Sequence, residues 1–95
     1  MRIGVNCFLL NKEMGGLRQY FFRLFKELLT NNQEYKFVFF YCNKNYEELQ
    51  RIGCDSWKEN AILIKNQNEI IGHLDKIELL FCPFGVLFPR PVSIP

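Results

Sequence analysis

Ninety-five residues, 48% of them hydrophobic and 23% charged, have the size and composition of one ordinary globular domain and no length for a second. A net charge of +2, with 12 basic and 10 acidic residues spread along the chain, excludes the basic stripe that polynucleotide binding requires, so no nucleic-acid partner is expected. The longest apolar runs, 37–42 and 79–88, fall far short of the ~20 residues of a membrane-spanning helix, and the N-terminus lacks the apolar core of an export signal, which makes the cytosol the expected compartment.

Residues 2–10 open with an apolar stretch, Ile3, Val5, Cys7 and Phe8, and read as a buried strand that runs into the loop Asn11-Lys12-Glu13-Met14-Gly15-Gly16. Leu17, Tyr20, Phe21, Leu24, Phe25, Leu28 and Leu29 then recur at helical spacing as one buried stripe, and Thr30-Asn31-Asn32 ends the helix. The aromatic, hardly alternating run 35–42 predicts a strand covered on both faces. A short polar helix follows over 46–52 with Gly53 at its end, then a strand over 61–65, a weaker helix over 69–77 and a strand over 78–82 that stops at Pro83. Residues 86–95 form an extended, proline-punctuated segment.

This βαβαβαβ order predicts an α/β fold: a Rossmann-like, three-layer half of a doubly wound, mainly parallel sheet, with strand order 3-2-1-4. In such sheets ligands bind beyond the carboxyl ends of the strands. The crevice is therefore expected at 6–16, Cys42-Asn43 and 82–85.

Within it, Met14-Gly15-Gly16 stands where a strand hands over to a helix. The free first-turn amides and the helix dipole favour an anion there, and glycines let a phosphate come close; the same pair can also serve only to permit the turn. Other phosphate chemistries lack their residues. No Gly-x-Gly-x-x-Gly follows the first strand, Gly16 is followed by Leu17-Arg18 rather than Lys-Ser/Thr, and the first and third strands end in Asn6-Cys7 and Lys65-Asn66 rather than carboxylates. Cys7 is the one candidate nucleophile, but position 13 holds Glu13 where a Cys-x5-Arg cradle needs arginine, and a small core residue is the plainer role. Cys42, Cys54 and Cys82 read as reduced core thiols, since no pair has metal or redox spacing. His73 has no second ligand or catalytic partner near it in sequence, and no Gly-x-Ser-x-Gly elbow accompanies Asp55-Ser56-Trp57. Phe22, at the margin of the helical stripe, joins Phe84, Leu87 and Phe88 either in packing within the domain or in an apolar surface left for a partner.

The opening Met-Arg-Ile-Gly-Val-Asn-Cys-Phe-Leu-Leu with Met-Gly-Gly-Leu-Arg-Gln-Tyr-Phe-Phe-Arg-Leu-Phe-Lys-Glu-Leu-Leu, and the closing Ile-Glu-Leu-Leu-Phe-Cys-Pro-Phe-Gly-Val-Leu-Phe-Pro, resemble the start of family 4 glycosyltransferases. The resemblance covers residues 1–30 and 77–95; the middle matches in element order only. It implies an enzyme of two Rossmann-like domains facing a cleft. Such an enzyme transfers sugar from a nucleotide-sugar donor to a glycan or lipid acceptor, with no metal in the chemistry and no further cofactor.

On that resemblance, Asn6, Gly15, Gly16 and Leu17 are the substrate- and phosphate-binding positions, with no catalytic residue assigned. The Gly15 and Gly16 amides would lie near the donor's diphosphate or the acceptor, and Asn6 stands where the family often has Asp. The chain is then expected to be a truncated N-terminal domain, inactive without its C-terminal partner domain, from a protein that is cytoplasmic or, at full length, membrane-peripheral. The alternative is a complete small binding domain, or a Cys-dependent phosphoryl carrier, that uses the same crevice. An uncovered fourth-strand edge at 79–82 would also favour self-association.

Overall fold

The computed structural model of the chain describes residues 1–11, 15–31 and 34–84. Its regular elements are β1 (Arg2–Asn6), α1 (Gly15–Asn31), β2 (Lys36–Tyr41), α2 (Tyr46–Leu49), β3 (Ile62–Leu63) and β4 (Leu79–Phe81). Stretches of 3-10 helix occupy Asn43–Asn45, Gln50–Ile52, Asp55–Asn60 and Gln67–Lys76. All four strands are parallel and lie in the order β3-β2-β1-β4, so the Rossmann-like α/β arrangement expected from the alternation of elements is present.

Register explains the layers. Ile3 pairs with Phe37 and Leu79, and Val5 with Phe39 and Phe81, which puts these side chains on one face; Gly4, Val38, Phe40 and Leu80 share the other. The first face carries α1 and the segment around α2 and Trp57, and the second carries the 3-10 stretch Gln67–Lys76 through Ile70 and Ile77. Crossovers of a single hand require this division. The two steps from β1 to β3 travel one way across the sheet and the return to β4 travels the other, so the connecting segments change face.

Aromatic rings fill the larger core. Phe25 stands 5.2 Å from Phe39 and 5.3 Å from Phe37, centroid to centroid, while Phe21 is 4.9 Å from Phe84. Trp57 closes the same layer against Phe39 and Tyr41. Each such buried ring contributes about 1.5–3 kcal/mol relative to exposure.

Several expectations are corrected. The helical stripe is rotated: Leu17 and Tyr20 are exposed, whereas Phe22 is buried with Phe21 and Phe25. Three phenylalanines fill the gap above the sheet, and Tyr20 keeps its hydroxyl in water. The Arg18 guanidinium covers Phe22 at 5.5 Å from the ring centroid, and Phe84 is buried too, so these two form no apolar surface for a partner. Leu87, Phe88 and the rest of 85–95 lie outside the described residues, as do Met14 and Asn32. The first strand stops at Asn6 rather than Leu10, because the Asn6 Oδ1 accepts the Phe8 N–H at 3.0 Å and turns the chain. The third strand is two residues and the fourth three, both shorter than expected, and the helix expected over 69–77 is a 3-10 stretch. The 3-10 segment Asp55–Asn60 was not expected; burial of Trp57 holds it to the sheet.

Gly4 is where the second face packs most closely. A β-carbon there would stand 2.6 Å from Ile77 Cδ1 and 3.0 Å from Phe40 Cε2. The Ile77 methyl can turn aside, but the Phe40 ring is locked in the core. Gly4→Ala is expected to destabilise the fold by about 1–3 kcal/mol in urea unfolding, and an unchanged midpoint would show that the layer yields freely.

Candidate functional site

The carboxyl ends of β1 and β2 are held together by one buried side chain. Asn45, in the turn after β2, donates from Nδ2 to the Cys7 carbonyl at 2.6 Å and to the Phe8 carbonyl at 3.3 Å, and its Oδ1 accepts the Cys42 N–H at 3.1 Å. With Cys7 N–H donating to the Phe40 carbonyl at 2.9 Å, the turn after β1 is fixed relative to β2. Asn6 ties the end of β1 to the 3-10 stretch that precedes β4: it is fully buried and its Nδ2 reaches Gln67 Oε1 at 3.5 Å. Asn6 thus spends its amide within the protein instead of presenting it to a ligand.

Above these ends lies a cleft of about 800 Å³. Phe8, Leu9 and Leu10 from the turn after β1, with Leu63 from β3 and Ile64 just after it, form its apolar lining; Cys42, Lys44, Glu48 and Lys65 also face it. The cleft spans β1, β2 and β3, and so lies to one side of the switch between β1 and β4.

Gly15, Gly16 and Leu17 form the start of α1. Gly15 has φ +57°, a left-handed conformation that disfavours any residue with a β-carbon, and nothing lies within 4 Å of where a β-carbon at Gly15 or Gly16 would be. All three residues are exposed, and the first turn contains no Asp or Glu to occupy its amides. The first turn adjoins the cleft through an ion pair: Arg18 Nε lies 2.6 Å from Glu48 Oε2, with side chains only 12% and 6% exposed, and Arg51 approaches Glu48 at 3.6 Å. Arg18 is thereby committed to Glu48. Neither this pair nor Asn45 stood out in the sequence; the one local signal was the turn-forming Asn43-Lys44-Asn45 directly after the aromatic strand.

The cysteines differ sharply. Cys7 is fully buried and its thiol is pushed well above the usual range by desolvation, which leaves it inaccessible as a nucleophile. Cys82 is raised more modestly, chiefly by burial. Cys54 is lowered, mainly by the Ser56 hydroxyl 2.9 Å from its sulfur. Cys54 should therefore react first with iodoacetamide as pH rises toward the thiol range, and Cys7 should stay unmodified until the chain unfolds; peptide mapping that finds Cys7 labelled in the native state contradicts this order. Linkage gives a second expectation. Above about pH 8.5 the unfolded chain releases a Cys7 proton that the folded chain retains, so this thiol's contribution lowers stability as pH rises, and Cys7→Val should flatten that decline.

His73 lies beside Phe40, with its Nδ1 3.0 Å from Lys76 Nζ, and Asp55 pairs with Lys58 at 3.7 Å. Glu69 accepts the backbone N–H groups of Asn66 and Lys65, which hold its carboxyl below the usual range; that local support is present above the carboxylate range and is lost as pH falls through the lowered value. Among the described residues no group of three or more His, Cys, Asp or Glu side chains is placed to hold a metal ion, and no helix is long and apolar enough to cross a membrane. Comparison with protein-family models, curated proteins and solved structures gave no match.

Proposed function

We propose that this chain forms the N-terminal, acceptor-side part of a glycosyltransferase of the family 4 type, which transfers sugar from a nucleotide-sugar donor. The observation that carries the reading is the glycine start of α1, where Gly15, Gly16 and Leu17 are exposed and the first turn contains no Asp or Glu, beside a cleft at the carboxyl ends of parallel strands. Backbone N–H groups in that position stabilise negative charge that develops on a departing diphosphate. The nucleotide itself is held by a second domain across the cleft, so these residues alone bind weakly and transfer no sugar. A phosphoryl carrier acting through Cys7 is the poorer reading, because that thiol is sealed in the core.

The test is an amide-shift titration of the chain with pyrophosphate, UDP and UDP-glucose. Shifts centred on Gly15, Gly16 and Leu17 are expected, together with their loss in Gly16→Asp, which places a carboxylate in the open space there. Saturating nucleotide sugar and pyrophosphate without any shift at these amides would overturn the reading. Self-association is a further expectation of it. Among the described residues β4 is a sheet edge, on which Leu79 and Phe81 are 52% and 37% exposed, a surface suited to pairing with another strand. Light scattering at rising concentration should show dimers or larger species, and a strict monomer would contradict this.

A further inference from the structure

We infer that the cleft over β1, β2 and β3 binds an anionic amphiphile, a ligand with an apolar chain and a phosphate-like or carboxylate head. Phe8, Leu10, Leu63 and Ile64 offer the chain an apolar lining, and at about 800 Å³ the cleft lies within the usual size of small-molecule sites. The lining is built rather than incidental, since Asn45 fixes the backbone at Cys7 and Phe8 and the Ile64 N–H donates to the Tyr41 carbonyl at 2.8 Å.

Charge selects the head group. Lys44 and Lys65 face the cleft, and among the described residues Lys44 has no ion-pair partner. Glu48, the one carboxylate in the lining among the described residues, is neutralised by Arg18 and Arg51. Glu69 attracts Lys65 but is itself tied to two backbone amides. Among the described residues the lining thus holds two lysines against one glutamate that is already paired with arginine, an excess of positive charge beside an apolar surface. Neither a neutral chain nor a bare anion uses both halves of that arrangement. That such a ligand is the sugar acceptor rests on the glycosyltransferase reading; that the cleft binds it does not.

Cys42 lines the cleft and serves as a native reporter, while Cys54 lies outside it. Iodoacetamide labelling followed by peptide mapping is run with octyl phosphate below its micelle concentration, with octanol and with inorganic phosphate. Octyl phosphate is expected to slow labelling of Cys42 at least fivefold and leave Cys54 unchanged, with octanol weaker and inorganic phosphate without effect. Amide shifts at Phe8, Leu63 and Ile64 read the same event independently of thiol reactivity. The double variant Lys44→Glu/Lys65→Glu should erase the advantage of octyl phosphate over octanol, and Leu63→Glu, at an exposed position, should weaken both. Equal protection by octanol, equal protection by inorganic phosphate, or neither protection nor shifts with octyl phosphate would each overturn the inference. Octyl phosphate binding without any response of Gly15 and Gly16 to nucleotide sugars would leave the cleft's ligand class standing and remove its assignment as acceptor.

Discussion

Replacing Asn45 with alanine is expected to cost about 2–4 kcal/mol, because the Cys42 N–H loses its acceptor and the Cys7 and Phe8 carbonyls lose their amide donor, keeping only the Leu10 N–H and the Cys42 thiol. A chain of this size has a total stability of about 5–14 kcal/mol, so the variant should unfold at markedly lower urea or temperature. Asn45→Asp should be worse. A carboxylate oxygen in place of Nδ2 would face the Cys7 and Phe8 carbonyls, acceptor against acceptors, and the folded state should be weakened further near neutral pH. Urea unfolding measures the first effect and circular dichroism the second. A stable aspartate variant would show that the turn after β1 can be held without this side chain. Because the same contacts position Phe8 at the cleft, ligand binding should fall in any alanine variant that still folds.

The second large effect concerns Arg18 and Glu48. Arg18→Met leaves Glu48 with only the more distant Arg51, and loss of one partner from a pair this buried costs about 3–5 kcal/mol. Arg51 should hold the loss toward the lower end. Removing both charges in Arg18→Met/Glu48→Leu should recover most of the stability, since an apolar pair of similar volume avoids the desolvation of two ions. A double-mutant cycle measures the coupling, and additive single losses would show that the ions act independently. In the double variant the first turn of α1 also loses its tether to α2, which predicts faster hydrogen exchange at the amides that follow Gly16.

Much of the architecture was legible along the chain. The apolar run at β1, the aromatic run at β2 and the helical spacing between them are local signals, and the alternation of strands with helical segments is enough to propose a parallel sheet in the order 3-2-1-4. Lengths were less legible. The expected first strand runs through Cys7–Leu10 in hydrophobicity, yet one hydrogen bond from the Phe8 N–H to the Asn6 side chain ends it early. The inward face of the helix is not fixed locally for a related reason: spacing admits both Tyr20 and Phe22 as inward positions, and the space above Val5 and Phe39 decides between them. At the site, the glycine loop and the strand ends could be marked in advance because loop glycines and strand termini are sequence features. Arg18 and Glu48 lie 30 positions apart, and Asn45 reaches back 38 positions to Cys7, so nothing local announces either contact.

By itself, then, the sequence determined the class of fold, the order of strands and the glycine start of the first helix, because each depends on propensity and periodicity within a few residues. Tertiary structure alone decided that Asn6 is spent inside the protein, that Phe22 and Phe84 are core, and that the cleft lies over β1 to β3 with an excess of lysine charge. Those outcomes depend on which distant groups can satisfy a buried amide, cover a ring or neutralise a carboxylate, and such partners are fixed only when the sheet brings the strand ends side by side.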